Sequence, residues 1–195
     1  MGYYSLRPLG VREYGSYHML QVISSFNDKA EPAARQRTIE YLARQHGMNL
    51  TTTKSLRYDP TFHRRAGVNV KGDIRIGPSA FSEDSSWLAN VIFHEVIHSD
   101  QFDFYAQHGV VFGNQEASSE PERVMVALDE FEGFYWPWRN SGVLALSDTQ
   151  KAALEREVRL WHIEIDDAET IAFTQKGQFD DARLALMERL HKNAA

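Results

Sequence analysis

The chain has no cysteine among its 195 residues. A disulfide framework, a thiolate zinc site and a thiol nucleophile are excluded together. It also lacks any run of about 20 apolar residues, and no apolar segment follows Met1, so neither a membrane span nor a signal peptide is read from it. The expectation is cytoplasmic synthesis, with carriage out of the cell by a secretion system as the alternative to staying there. Positive charge is in short supply: 21 Lys and Arg stand against 27 Asp and Glu, for a net charge of -6 and a pI near 5.7. That balance argues against a dedicated nucleic-acid surface. Repeats, linkers and low-complexity stretches are missing as well. The chain therefore reads as a single domain, 1–195, large enough to bury a core.

What is present is His94-Glu95-Val96-Ile97-His98. Residues four apart share a helix face, so His94 and His98 can hold one Zn²⁺ through neutral imidazole nitrogens. Glu95 can reach a water at that ion without being a ligand and take its proton. With 8 histidines in 195 residues, chance alone produces such a pentamer in about two chains per hundred, so the surroundings decide its meaning. They favour a buried helix over Ser85 to Gln107. Leu88, Ile92, Val96 and Phe102, with Val91 and Phe93, are apolar around it. Ser82, Glu83 and Asp84 suit its start. Upstream, Ala66 to Gly77 alternates with period two and reads as a hairpin. Its segment Asp73 to Ile76 is the candidate edge on which an extended peptide could add as a strand.

A catalytic zinc takes three protein ligands and keeps one position open. Ser119-Glu-Pro-Glu122 is a capping box with Pro121 in the first turn. The helix it opens runs to about Trp138 and carries Asp129, Glu130 and Glu132. Any of the three could supply the third ligand from a helix packed across the first. Elsewhere the expected elements are a helix from Asp28 to about Gln45, a β-prone segment from Leu50 to Tyr58, a long helix from Ser147 to about Gln175, and a last helix from Asp180 to His191. The class is α+β, mostly helical with a small antiparallel or mixed sheet.

Two stretches carry a resemblance. Glu130-Phe-Glu-Gly-Phe134 is similar to the signature that follows HExxH in several zincin groups, among them integral-membrane zinc endopeptidases and metallopeptidase toxins. The block from Gly72-Asp-Ile-Arg-Ile-Gly-Pro-Ser-Ala-Phe81 through Leu88 to Gln101 resembles the effector metallopeptidases of bacterial polymorphic toxins and of type VI secretion spike proteins. Together they cover about residues 68 to 136. The resemblance implies a zincin-like fold of the gluzincin type, Zn²⁺ held by His94, His98 and Glu130, and Glu132 as the runner-up ligand. Phe134 stands where the membrane enzymes have an Asp that supports the histidines; Asp100, Asp103 or Asp129 could replace it.

The implied activity is hydrolysis of peptide bonds in a protein or peptide substrate, with Glu95 as general base. The oxyanion needs a further donor. Tyr135 is favoured over Tyr105, His108, His162 and Arg139. A delivered toxin would have a cognate immunity protein and a secretion-apparatus carrier as partners. The alternatives are a cytosolic housekeeping peptidase, a hydrolase of peptidoglycan amides, and a non-catalytic helical binding domain whose HExxH is incidental. The histidines at 18, 46, 63 and 191 are expected at the surface or in loops.

Overall fold

The computed structural model describes residues 6, 22–110 and 119–193. In order, these form α1 (Pro32–Gln45), β1 (Ser55–Tyr58), β2 (Ala66–Val68), β3 (Asp73–Ile76), a 3-10 turn (Pro78–Phe81), α2 (Ser85–Gln107), α3 (Glu120–Arg139), α4 (Asp148–Glu164), α5 (Ala168–Gln175) and α6 (Phe179–Asn193). The result is mostly helical with one small mixed sheet, an α+β arrangement.

Local chemistry sets most of the boundaries. Asp84 caps α2 by accepting from the Trp87 N–H at 2.8 Å. Ser119 with Glu122 and Ser147 with Gln150 close capping boxes at α3 and α4. The Gln150 side chain also donates to Asp84 at 3.2 Å, tying the starts of α4 and α2 together. In the β2–β3 hairpin, Asn69 Oδ1 accepts from the backbone of Lys71 and Asp73. Gly72 takes φ +78°, and a Cβ there would meet the Thr52 carbonyl at 2.5 Å, so glycine is required on both counts.

The strand order is β1-β3-β2, with β1 parallel and β2 antiparallel to β3. This corrects the expectation for Asp73 to Ile76. That strand is paired on both sides and cannot accept a peptide; among the described residues the edges are β1 and β2. Its alternation still holds, since Ile74 and Ile76 are fully buried. They join α1 and the first half of α2 in one core, with Ile39, Leu42, Leu88 and Ile92. A second core gathers Tyr105, Leu128, Phe131 and Leu186 from α2, α3 and α6. Helix α2 is buried on nearly every side through Leu88 to Ile97, and His94 and His98 are the break in that cover.

Three other boundaries and the place of one histidine differ from expectation. The helix expected from Ser147 to Gln175 divides at 165–167, because Ile165 turns into the second core and Asp167 accepts from the Thr170 N–H to start α5. Helix α1 begins at Pro32, not at Asp28, and its N-cap Glu31 makes no side-chain cap. Thr51 to Thr53 are not in a strand; Thr51 bonds Asn49 through backbone and hydroxyl in a turn. His46, expected at the surface, is buried at the end of α1; His18 lies outside the described residues. No helix among the described residues is long and apolar enough to cross a membrane.

Candidate metal centre

Helix α2 presents His94 and His98 one turn apart, as their spacing dictates, and α3 crosses it. What lets the helices approach is Gly133. A Cβ at that position would stand 2.8 Å from Cε1 and 3.0 Å from Nδ1 of His94, closer than side chains normally pack. The crossing brings Glu130, one turn earlier on α3, over both imidazoles.

The three side chains form a group that could hold a metal ion. The Nε2 atoms of His94 and His98 are 2.9 Å apart. Glu130 straddles them: Oε2 is 3.7 Å from the His94 nitrogen and Oε1 is 3.7 Å from the His98 nitrogen. A tetrahedral zinc with bonds of about 2.1 Å separates its ligand atoms by roughly 3.4 Å, so the distances present bracket what the ion requires. The donor set of two imidazoles and one carboxylate is that of a catalytic rather than a structural zinc. His94 and His98 are 15% and 13% exposed and Glu130 32%, which makes the cluster a partly open cradle.

Protonation follows from that crowding. Burial, and then the charge of His98, push His94 down to about 3. Burial also works against protonation of His98, but the charges of Glu130 and Glu95 and the bond to Gln101 outweigh it and raise the group above its ordinary value. Glu95 is buried beside them. Desolvation pushes its carboxyl up to about 7, with His98 pulling it down and Glu130 pushing it up.

Each imidazole has a different support. His98 Nδ1 lies 2.6 Å from Gln101 Oε1. His94 Nδ1 is buried beside the Gly133 backbone without a hydrogen bond of ordinary geometry, and Phe134 packs on its ring at 4.5 Å between centroids. The expected supports behave otherwise. Asp100 accepts a hydrogen bond from the Thr52 hydroxyl, Asp103 accepts from the Gln107 amide, and Asp129 accepts from Tyr105 and Arg183.

The two candidate glutamates on α3 separate cleanly. Glu130 faces the imidazoles. Glu132 is 4% exposed and turned away from them: its Oε1 accepts from the Trp136 indole at 3.0 Å, and its Oε2 accepts from Gln101 at 3.0 Å and from Arg183. With both oxygens engaged, Glu132 is not available as a ligand; Asp129 is engaged in the same way. The centre of this second cluster is Arg183 of α6, itself 2% exposed, which also donates to Asp180 at 3.1 Å.

The structure thus brings His94, Glu95, His98 and Glu130 together. It does not bring Tyr135 to them. That ring stacks on Phe131 at 5.6 Å and packs on Phe179, on the side of α3 that turns to the second core. Tyr105 gives its hydroxyl to Asp129, His108 Nδ1 is taken by the Phe104 carbonyl at 2.8 Å, and His162 packs on Phe131. Arg183 is the residue the sequence reading missed; Gln101, which ends the resembling block, was given no role there. Gln101 is three residues after His98 on the same helix face, a detectable spacing. Arg183 interrupts the apolar stripe Phe179, Leu186 and Leu190 of α6, an anomaly that signals a buried ion pair. Comparison with known protein families, with curated proteins and with solved structures found no match.

Proposed function

We propose that this chain is a zinc-dependent metallopeptidase of zincin-like fold. One observation carries the reading: two Nε2 atoms and one carboxylate converge at zinc-ligand separations with a buried glutamate, Glu95, directly beside them. A structural zinc has no use for a neighbouring base. His94, His98 and Glu130 would hold the ion, which when bound supplies a Lewis acid for a carbonyl and an activated water. Glu95 receives the proton of the attacking water at its carboxylate and returns it to the departing amine nitrogen. One water is consumed, the C–N bond breaks, and a carboxylate and an amine leave. The partial exposure of Glu130 against the burial of Glu95 leaves the open side of the cradle for substrate. If the substrate binds as an added strand, the edge of β2, unpaired among the described residues, is favoured over that of β1, because β2 packs directly on α2.

The role of a delivered toxin or effector, with an immunity protein and a secretion carrier, rests on the resemblance of residues 68 to 136 alone. The test of the activity is incubation of the zinc-loaded protein with unfolded protein substrates and mass spectrometry of the products. Zinc-dependent cleavage by the wild type, stopped by a chelator and absent in Glu95→Gln, supports the reading. Identical product patterns from wild type and Glu95→Gln would remove it.

A further inference from the structure

We propose that Gln101 is a positioning residue that fixes the proton of His98 on Nδ1, and that its own orientation is set from the far side by Glu132 and Arg183. Donors and acceptors around the amide fix its orientation. A glutamine amide has two N–H donors on one end and an oxygen on the other. The Gln101 nitrogen lies 3.1 Å from the Asp129 carbonyl oxygen and 3.0 Å from Glu132 Oε2. A backbone carbonyl can only accept. The Glu132 carboxylate receives three donors, from Gln101, Trp136 and Arg183, which only an acceptor on both oxygens satisfies. Turning the amide over would set its oxygen against two acceptors at once, so the orientation is determined.

The consequence passes to the imidazole. With the amide so held, Oε1 faces His98 Nδ1 at 2.6 Å, and Nδ1 must carry a proton to meet it. A neutral His98 then has its lone pair on Nε2, the atom that points at His94 and Glu130. Arg183 makes the chain long-ranged: it joins α6 to α3 across 51 residues, and Gln101 joins α3 to α2 across 31. The last helix described therefore helps select the tautomer of a residue on the central helix, a coupling with no counterpart at His94, whose Nδ1 has no side-chain hydrogen-bond partner among the described residues.

The inference draws on the zinc reading only for its consequence on affinity; the proton position is a property of the chain itself. The first experiment is nitrogen NMR of the histidine side chains in the full-length protein, metal-free and zinc-loaded. A proton on His98 Nδ1 in the metal-free wild type is the expected result, and a bare Nδ1 overturns the proposal. The second is chelator competition with Gln101→Met, which keeps the bulk and removes the acceptor. Zinc affinity is expected to fall about 10- to 100-fold with the fold retained; an unchanged affinity overturns the positioning role. Should Gln101→Met fail to fold, or should the wild type take up no zinc, the nitrogen spectrum of the wild type still decides the tautomer, and the latter result counts against the metal centre separately.

Discussion

Two acid-rich clusters flank the crossing of α2 and α3, and they solve the same problem differently. Behind the crossing, Asp129 and Glu132 are met by the guanidinium of Arg183, and the donors present match the acceptors. In front, Glu130 faces two imidazoles whose nitrogens point at each other across 2.9 Å. Acceptors gathered at such distances need a cation. The rear cluster carries its own; the front one is open to a proton or a metal. Two glutamates two residues apart on one helix are thus placed differently, one locked to a buried arginine and one facing a cradle that could hold a metal.

The comparison breaks most visibly through Glu95→Gln. Activity should fall by about 10²- to 10⁴-fold, while zinc content and the unfolding midpoint stay at wild-type values; steady-state kinetics with elemental analysis checks this. Next is a paired measurement of stability by urea unfolding of the metal-free protein. Arg183→Met leaves two buried carboxylates without their cation and should cost about 3–5 kcal/mol. Glu130→Gln, in the partly exposed cradle, should change stability by less than about 1 kcal/mol yet weaken zinc binding. Equal losses in the two variants would erase the distinction between the clusters.

A smaller effect is expected of Gly133→Ala, which attacks the crossing itself. Alanine favours a helix interior by about 0.5–1 kcal/mol over glycine, but a methyl 2.8 Å from the His94 ring must displace it, and overpacking costs about 1–3 kcal/mol. The net expectation is a less stable protein with weaker zinc affinity, read by unfolding and chelator competition. The smallest lies outside both clusters and serves as their control. Burial alone would raise Asp167, but the Thr170 backbone and hydroxyl and the Arg189 guanidinium hold it below its ordinary value. A carboxyl depressed in the folded state stabilises above its unfolded pKa, and that contribution disappears as the pH falls through the folded value. Asp167→Ala should therefore cost about 1 kcal/mol at neutral pH, with the difference from wild type shrinking in acid and zinc affinity untouched.

How much of this was written in the sequence depends on distance along the chain. Caps at Ser119 and Ser147 and the span of α2 rest on contacts of three or four residues, and these were legible. So were His94, Glu95 and His98. The choice between Glu130 and Glu132 was not a local matter. Two residues apart on a helix are about 200° apart around it, so the two could not both face the imidazoles. Which did so depends on Arg183, far downstream. The central position of β3 is likewise set by β1, which pairs with it from 18 residues upstream. The break at Ile165 depends on a core that only the folded chain assembles.

On the proposed reading the front cluster holds zinc through Glu130 and not Glu132. Elemental analysis of purified wild type, His98→Ala, Glu130→Ala and Glu95→Gln, after zinc loading and removal of excess metal, tests it directly. About one zinc per chain is expected in the wild type and in Glu95→Gln, with loss in His98→Ala and Glu130→Ala while both remain folded. A folded wild type that takes up no zinc, or a Glu130→Ala variant that holds it as tightly as the wild type, would rule this centre out.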